Sequence, residues 1–325
     1  MEKNISVVIP NFNGKHLIER NLPTVYAALH AANLEHEVII VDDASTDDSV
    51  SFIKANFPLV VILVNEVNQG FSPTINKGIQ RATKDLVFAL NSDVELTREY
   101  FFLLIRYFDD ANVFGVVGRT IGLGDERIQE AAKFPRQRAS KKIDPYNFFI
   151  EEPGDFKVPS LYLSGANALM DRMKLVQLNG FDEIYAPFYY EDLDLCIRAW
   201  RAGWKCYYEH DAICRHPASA TIKKYHVKKH VWIVSNRNKL ILHDIHLSGF
   251  SKVTWSIKLF ITLMIRGIVL DWKYHTAFFQ FLSKRAQIEK SKVGNFETFS
   301  SIRSMEEIMK ELRQELKHKL ITKLR

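Results

Sequence analysis

Cysteine is scarce in this chain: Cys196, Cys206 and Cys214 are the only three among 325 residues. An odd number without metal-type spacing provides neither a disulfide framework nor a zinc site, so free thiols in a reducing compartment are the expectation. No secretory leader is visible. The opening residues MEKNISVVIP run straight into a short apolar segment that reads as a strand, without a cleavage site. No apolar run is both long and uncharged. The longest, Val253–Trp272, contains Lys258, Arg266 and Asp271. A spanning helix needs roughly 20 residues with few or no charges, and each central charge costs about 2.5–3.5 kcal/mol. The segment reads instead as an amphipathic or core helix, with a position on a membrane surface also open. The Gly-x-Gly-x-x-Gly turn of dinucleotide enzymes is missing after the first strand, which counts against an oxidoreductase. Low-complexity stretches, internal repeats and recognisable nucleic-acid motifs are missing too.

What is present is ordinary globular material, 47% hydrophobic and 25% charged, enough for one large or two modest domains. The net charge is +6. From Lys284 to Arg325 there are eleven Lys/Arg against six Glu, and a second basic cluster spans Lys223–His230. Such clusters suit anionic headgroups or an anionic substrate, and equally suit solvated helix faces.

The first half alternates strand and helix. Strands are expected at 6–10, 37–43, 60–65 and 85–93, with helices at about 16–32, 47–56 and 72–82. That alternation predicts an α/β fold with a mostly parallel, doubly wound sheet, whose ligands bind beyond the carboxyl ends of the strands. Those ends are polar or acidic: Pro10-Asn11-Phe12-Asn13-Gly14, Asp42-Asp43-Ala44-Ser45, Asn65–Asn68 and Asn91-Ser92-Asp93. The stretch from about 122 to 160 reads as an irregular excursion, mobile or facing an acceptor. From about Ile222 onward the pattern is helical. Met305–Arg325 reads as one amphipathic helix with Met305, Ile308, Met309, Leu312, Leu316, Leu320 and Leu324 on one face.

The segment Phe188–Trp204, FYYEDLDLCIRAWRAGW, sets Glu191, Asp192 and Asp194 at a helix start. Leu193, Cys196, Ile197 and Trp200 form a buried stripe at i, i+3, i+4, i+7, and Gly203 ends the helix. Acids at a helix N-terminus are favoured by the macrodipole alone.

The ordered series VVIPNFNG, VDDASTDDS, NQGFSPTINKGI, LNSDV, SGANALM, NGFDE, YYEDLDLCIRAWRAGW and RHPASAT resembles the inverting family-2 glycosyltransferases, and among them the bacterial rhamnosyltransferase-like branch. The resemblance covers roughly residues 4–240. It implies a GT-A (Rossmann-like) fold over 1–220; the helical, basic pattern beyond marks 221–325 as a helical C-terminal extension, with membrane association left open. It also implies a hexosyltransferase using a UDP- or dTDP-type sugar donor and a divalent metal, Mg2+ or Mn2+. The acceptor would be a glycan or a lipid-linked saccharide in surface polysaccharide synthesis. The location would be cytoplasmic, peripheral on the inner membrane face.

The resemblance assigns Pro10, Asn11, Phe12, Asn13, Asp42, Asp43, Asn68 and Gly70 to the nucleotide. Asp43 would accept from the imide N–H of the base; an Asx turn or helix cap is the structural alternative. At the family's D-x-D motif Asn91 stands in place of one acid and Asp93 keeps the other, with Asp93 and His216 as metal ligands. Gly165 and Ala166 would lie against the donor sugar, and Asp182 would either cap the next segment or hold that sugar. Asp192 would be the general base, with Glu191 shaping the acceptor pocket and Asp194 serving as a helix-start or salt-bridge residue. Ile75 stands where many relatives carry Arg, so a cation would come from elsewhere, with Lys77 the nearest candidate. The weakened D-x-D motif also keeps open a nucleotide-sugar-binding scaffold without catalysis.

Overall fold

The computed structural model describes residues 3–135, 143–217, 227–294, 299 and 302–324. In chain order the first half runs β1 (Ile5–Asn11), α1 (Lys15–Ala31), β2 (His36–Asp42), α2 (Ser49–Asn56), β3 (Val61–Val64), α3 (Phe71–Arg81) and β4 (Leu86–Leu90). After a short β5 (Glu95–Leu96) come α4 (Tyr100–Ile105) and β6 (Val113–Gly122). Four short strands follow: β7 (Ile128–Glu130), β8 (Ala132–Pro135), β9 (Pro145–Phe149) and β10 (Val158–Pro159). Then come β11 (Asn167–Asp171), α5 (Arg172–Gln177), α6 (Glu191–Arg201) and β12 (Lys205–His216). The remainder is α7 (Lys228–His246), α8 (Gly249–Ile268), α9 (Trp272–Ser283), α10 (Arg285–Gly294), α11 (Met305–Glu315) and β13 (Thr322–Lys323).

The main sheet has the order β10-β12-β6-β11-β4-β1-β2-β3, with β5 and β7 attached to β12 and β6. Its β4-β1-β2-β3 half is parallel, and β11 is antiparallel to both neighbours. Strand order reverses between β1 and β4, the switch point at which ligands bind in such sheets. The central strands are buried on both faces. Val7 and Ile9 of β1 join one core layer with α1, α2 and α4, while Val8 joins the other with α3 and α6. That two-sided burial is why these strands are continuous apolar runs rather than alternating ones.

The second layer continues without a break into the C-terminal helices: Ile241 of α7, Trp255 of α8, Phe281 of α9 and Ile308 of α11 belong to the same cluster as Trp200 of α6. A buried charge cluster joins α6 to that layer. Asp194 accepts from Arg198 Nε at 2.7 Å, Tyr185 Oη at 3.0 Å and His246 Nε2 of α7 at 2.8 Å. Arg198 also donates to the carbonyls of Leu178 (2.6 Å) and Gly180 (2.9 Å). Asp194 is therefore a salt-bridge residue. Burial pushes its carboxyl up, but Arg198 and His246 outweigh burial and hold it down at about 2.

Two expectations are corrected here. Residues 122–160 are not simply irregular: β7 extends the main sheet, and β8 and β9 form a second, three-stranded sheet. The segment Met305–Arg325 is not one helix. It ends at Glu315, and Thr322 pairs instead with Phe149 in β9. The apolar spacing holds as far as Leu316, whereas Leu320 is 83% exposed. Strand pairing with a distant segment overrides the local pattern. Lys223–His226 and Ile222 lie outside the described residues. All three cysteines are buried and unbonded.

Asp194→Asn is expected to cost about 3–5 kcal/mol at neutral pH, because it strands a buried guanidinium. A carboxyl held below its unfolded value stabilises the fold above that value, about 3.9, and the contribution is lost as pH falls through the folded value. Urea unfolding at several pH values should therefore show the variant's deficit shrinking as pH drops from about 4 towards 2.

Candidate active site

A cavity of about 650 Å³ opens at the carboxyl ends of β1, β2 and β4. That is the size range of a small-molecule site. Its walls include Pro10, Asn11 and Phe12 after β1, Asp43 after β2, and Asn91, Ser92 and Asp93 after β4. Asn68 and Gly70 line it from the turn before α3, and Gly165 and Ala166 from the turn before β11. Glu191 and Asp192 enter from the start of α6, and His216 from the end of β12. Most of the site residues read from the sequence thus converge on one space.

Two do not line it. Asp42 turns away from the cavity: its Oδ1 accepts from Asn11 Nδ2 (2.9 Å) and Ser45 Oγ (2.6 Å), and its Oδ2 from Ser45 N (2.8 Å). Asn13 uses its Oδ1 on the Thr46 and Asp47 amides at 2.7 and 3.2 Å. Both fix the β2–α2 turn. Successive strand residues point to opposite sides, so only one of the Asp42–Asp43 pair can face the cavity. Asp43 does so while holding the neighbouring turn: its oxygens accept from Asn65 Nδ2, Gln69 N and Gly70 N, each at 2.9 Å. Gly70 has φ +85°, and a Cβ there would lie 2.7 Å from the Pro187 Cα. Phe71 N donates to the Pro187 carbonyl at 3.0 Å, so this turn is locked to the loop before α6.

That loop is strained. Tyr189 and Tyr190 both adopt left-handed φ, +74° and +78°, which costs roughly 1–2 kcal/mol per non-glycine residue. Asn238 of α7 holds them there, donating through Nδ2 to the carbonyls of Tyr185 (2.6 Å), Phe188 and Tyr189 (both 2.9 Å). Both tyrosines line the cavity. Trp200 does not. It is fully buried and donates to the Ser160 carbonyl at 3.1 Å, which makes it packing.

The acids of α6 separate by direction. Asp194 faces inward to Arg198, while Glu191 and Asp192 face the cavity. Burial pushes both cavity carboxyls above the ordinary range, and neighbouring negative charge adds to it: Glu130 acts on Asp192, and Asp192 acts on Glu191. The Leu193 amide, 2.7 Å from Asp192 Oδ1, and Lys133 pull Asp192 part of the way back. Glu130 was not anticipated. It sits on β7, 3.5 Å from Lys133 of β8, and both lie in the segment that reads as irregular.

Asp93 Oδ1 lies 3.2 Å from His216 Nε2, yet this buried oxygen has no well-aligned hydrogen-bond donor. Burial lowers the His216 pKa, but Asp93 and Glu130 outweigh that and raise it. An orphaned carboxylate oxygen beside an imidazole fits a divalent cation that takes its other ligands from phosphate and water. Among the described residues no group of three or more His, Cys, Asp or Glu converges on one point. Asp182 caps the following turn through the Ile184 amide at 3.0 Å. Lys77 does not reach the cavity. It donates to the Val64 carbonyl and Asn65 Oδ1, each at 2.9 Å. Lys239 of α7, unforeseen from the sequence, is the one Lys or Arg lining the cavity among the described residues.

The Glycosyl transferase family 2 model matches residues 6–177. The chain belongs to this family. The family is one of glycosyl transferases, and the sheet and helices just described have the GT-A-type fold. A Bacillus subtilis relative, the uncharacterized glycosyltransferase YfnE, is 24% identical over 61% of this chain and 60% of its own length. The undecaprenyl-phosphate 4-deoxy-4-formamido-L-arabinose transferase of Pectobacterium carotovorum is 35% identical over 44% of this chain and 42% of its own. The chain thus spans at most 60% of these relatives. Among solved structures, GalNAc-T7 with UDP, GalNAc and Mn2+ aligns with TM-score 0.67 and 14% identity, over 98% of this chain and 58% of that one. The Pyrobaculum calidifontis mannosyltransferase PcManGT with GDP-Man and Mn2+ aligns with TM-score 0.53 and 17% identity, over 88% and 76%. Likeness at that identity speaks to fold alone.

If Asp192 must be ionised to accept a proton, transfer falls as pH drops through its raised pKa. The acid limb of the pH–rate profile should then lie above the ordinary carboxylate value of about 4. Lys133→Met removes the opposing charge and should move that limb higher still, which initial rates across pH would read directly.

Proposed function

We propose that this glycosyltransferase inverts the anomeric centre, moving a sugar from a UDP- or dTDP-type donor to a glycan or lipid-linked acceptor in surface polysaccharide synthesis. One observation carries the reading: a single cavity is lined by Asp192, by the Asp93–His216 pair and by the Pro10–Phe12 and Asn68–Gly70 turns. The base and ribose would rest against those turns, with Asp43 fixing the second of them. Gly165 and Ala166 would leave room for the donor sugar, and Asn91 would bond to the ribose. Asp192 takes the proton of the acceptor hydroxyl as its oxygen attacks the anomeric carbon. The bond from that carbon to the diphosphate breaks on the opposite side, and the electron pair leaves with the diphosphate. Asp93 and His216 would hold Mn2+ or Mg2+, which when bound offsets the charge growing on the leaving diphosphate. Lys239 would supply the cation that Ile75 does not, and Glu191, its carboxyl held above the ordinary range by burial and by Asp192, would offer the acceptor a hydrogen bond.

The relatives support this in kind. The Pectobacterium enzyme's name specifies an undecaprenyl-phosphate, and two fold relatives were crystallised with a nucleotide or nucleotide sugar and Mn2+. Residues 1–220 would form the catalytic unit and 221–325 the extension that completes its acceptor wall.

Thermal melting with UDP, dTDP or GDP, each with and without Mn2+ or Mg2+, tests the donor half. A ligand at about a hundredfold excess over its Kd adds roughly 2.7 kcal/mol. The expected result is stabilisation by a pyrimidine nucleotide that needs metal, with the metal dependence lost in Asp93→Ala. Asp192→Asn should keep the nucleotide response while cutting transfer by about 10²–10⁴-fold. Undiminished transfer in Asp192→Asn would remove it as the base.

A further inference from the structure

Helix α8 is docked the wrong way round for a globular protein. Phe250, Val253, Ile257, Phe260, Met264 and Ile268 follow one another along one face, and each is 55–80% exposed. Ile261 and Ile265 widen that stripe. Only Ser251 and Trp255 of the helix are buried. The inner side is narrower: Trp255 joins the core, stacked on His243 at 5.9 Å, with Leu259 packed beside it and Lys252 paired with Asp244. The apolar face continues through Val269 and Leu270 to Trp272, 69% exposed at the start of α9. A contiguous outward patch of this extent marks an interaction surface rather than scattered surface apolarity.

We infer that the outer face of α8 and the α8–α9 turn lies on an anionic bilayer surface, in the plane of the headgroups. The helix is about 30 Å long, so the stripe meets the bilayer along its length. No helix of the described residues is long and apolar enough to cross a membrane. Charge selects the partner. Gly249–Lys284 contains five Lys/Arg and one acid, Asp271, which Arg266 binds at 2.5 Å. Lys258 and Lys273 border the apolar stripe and suit anionic headgroups. A two-fold contact with a second copy would instead set this basic patch against the same patch, whose one acid Arg266 already binds. Trp272, with its apolar ring and polar N–H, is the residue type that settles at the headgroup boundary. Position adds to this. Helices α8 and α9 pack on α7, whose Ser235 and Lys239 line the catalytic cavity, so a seated α8 holds that cavity beside the bilayer. The inference goes beyond the transfer reaction and does not depend on the donor or base assigned above.

Sedimentation of the full chain with vesicles of phosphatidylcholine, alone or mixed with phosphatidylglycerol, tests it. Binding is expected to the mixed vesicles, to weaken with salt, and to fall roughly tenfold or more in Ile257→Glu combined with Ile261→Glu. Leu59→Glu, at an 88% exposed site outside α8, should bind as the parent does. Melting and nucleotide response report whether each variant remains folded. If the double variant does not fold, the parent is read instead: brominated lipid should quench it more than Trp272→Phe. No binding to phosphatidylglycerol vesicles at low salt overturns the inference. So does binding that the glutamates leave unchanged. Self-association abolished by the same glutamates, without vesicle binding, assigns the face to a second copy and likewise overturns it. A failure here leaves the nucleotide response and the Asp192→Asn result untouched.

Discussion

The buried cluster around Asp194 ties together parts of the chain that lie far apart in sequence. Its carboxylate takes Arg198 from its own helix, Tyr185 from the preceding turn and His246 from α7. Arg198 then reaches back to the carbonyls of Leu178 and Gly180. Four segments are thereby fixed about one charge. In a low-dielectric interior such a cluster adds little net stability over a well-packed apolar alternative, but it tolerates no missing partner. Its contribution is position. Helix α6 can sit in one place only, and Asp192 stands two residues before the anchor.

The cavity is consequently built between two differently organised halves. On one side the ends of parallel strands present short turns, each stabilised within itself, as Asp42 does for Ser45 and Asp43 for Gly70. On the other side the wall depends on long-range contacts: Asn238 of α7 clasping the strained tyrosines, and β7 bringing Glu130 towards Asp192. The first half resembles a rigid cradle. The second couples Asp192 to the C-terminal helices, and the charge on Lys133 and Glu130 acts on its proton affinity from behind.

The difference also explains how much could be read in advance. Elements from β1 to β4 are legible because each is a short apolar run or an amphipathic helix bounded by turn residues. Their ends fall together by the geometry of parallel sheets, so Pro10, Asp43 and Asp93 could be grouped without coordinates. Which member of Asp42–Asp43 faces the ligand depends on strand phase, and sequence leaves that ambiguous by one residue. Lys77 misled because charge and proximity in sequence suit the cavity, whereas its helical position aims it at β3. Glu130 and Lys133 were missed because β7 to β9 are short and pair across gaps, and one partner, β13, is more than 170 residues away. Signals that depend on such distant pairing leave no local period. The helical C-terminal region was legible as helices, yet nothing in its spacing told which side of α8 would face outward.

The close approach of Gly70 to Pro187 has a mechanical consequence. The turn that borders the nucleotide side and the loop that leads into Asp192 share a backbone hydrogen bond and leave no room for even a methyl group between them. They cannot shift independently. A molecule pressing on the Asn68–Gly70 turn is felt at Tyr189, Tyr190 and the first turn of α6, and one pressing on the tyrosines is felt at the Asn68–Gly70 turn. Displacements of the two halves are therefore coupled rather than independent.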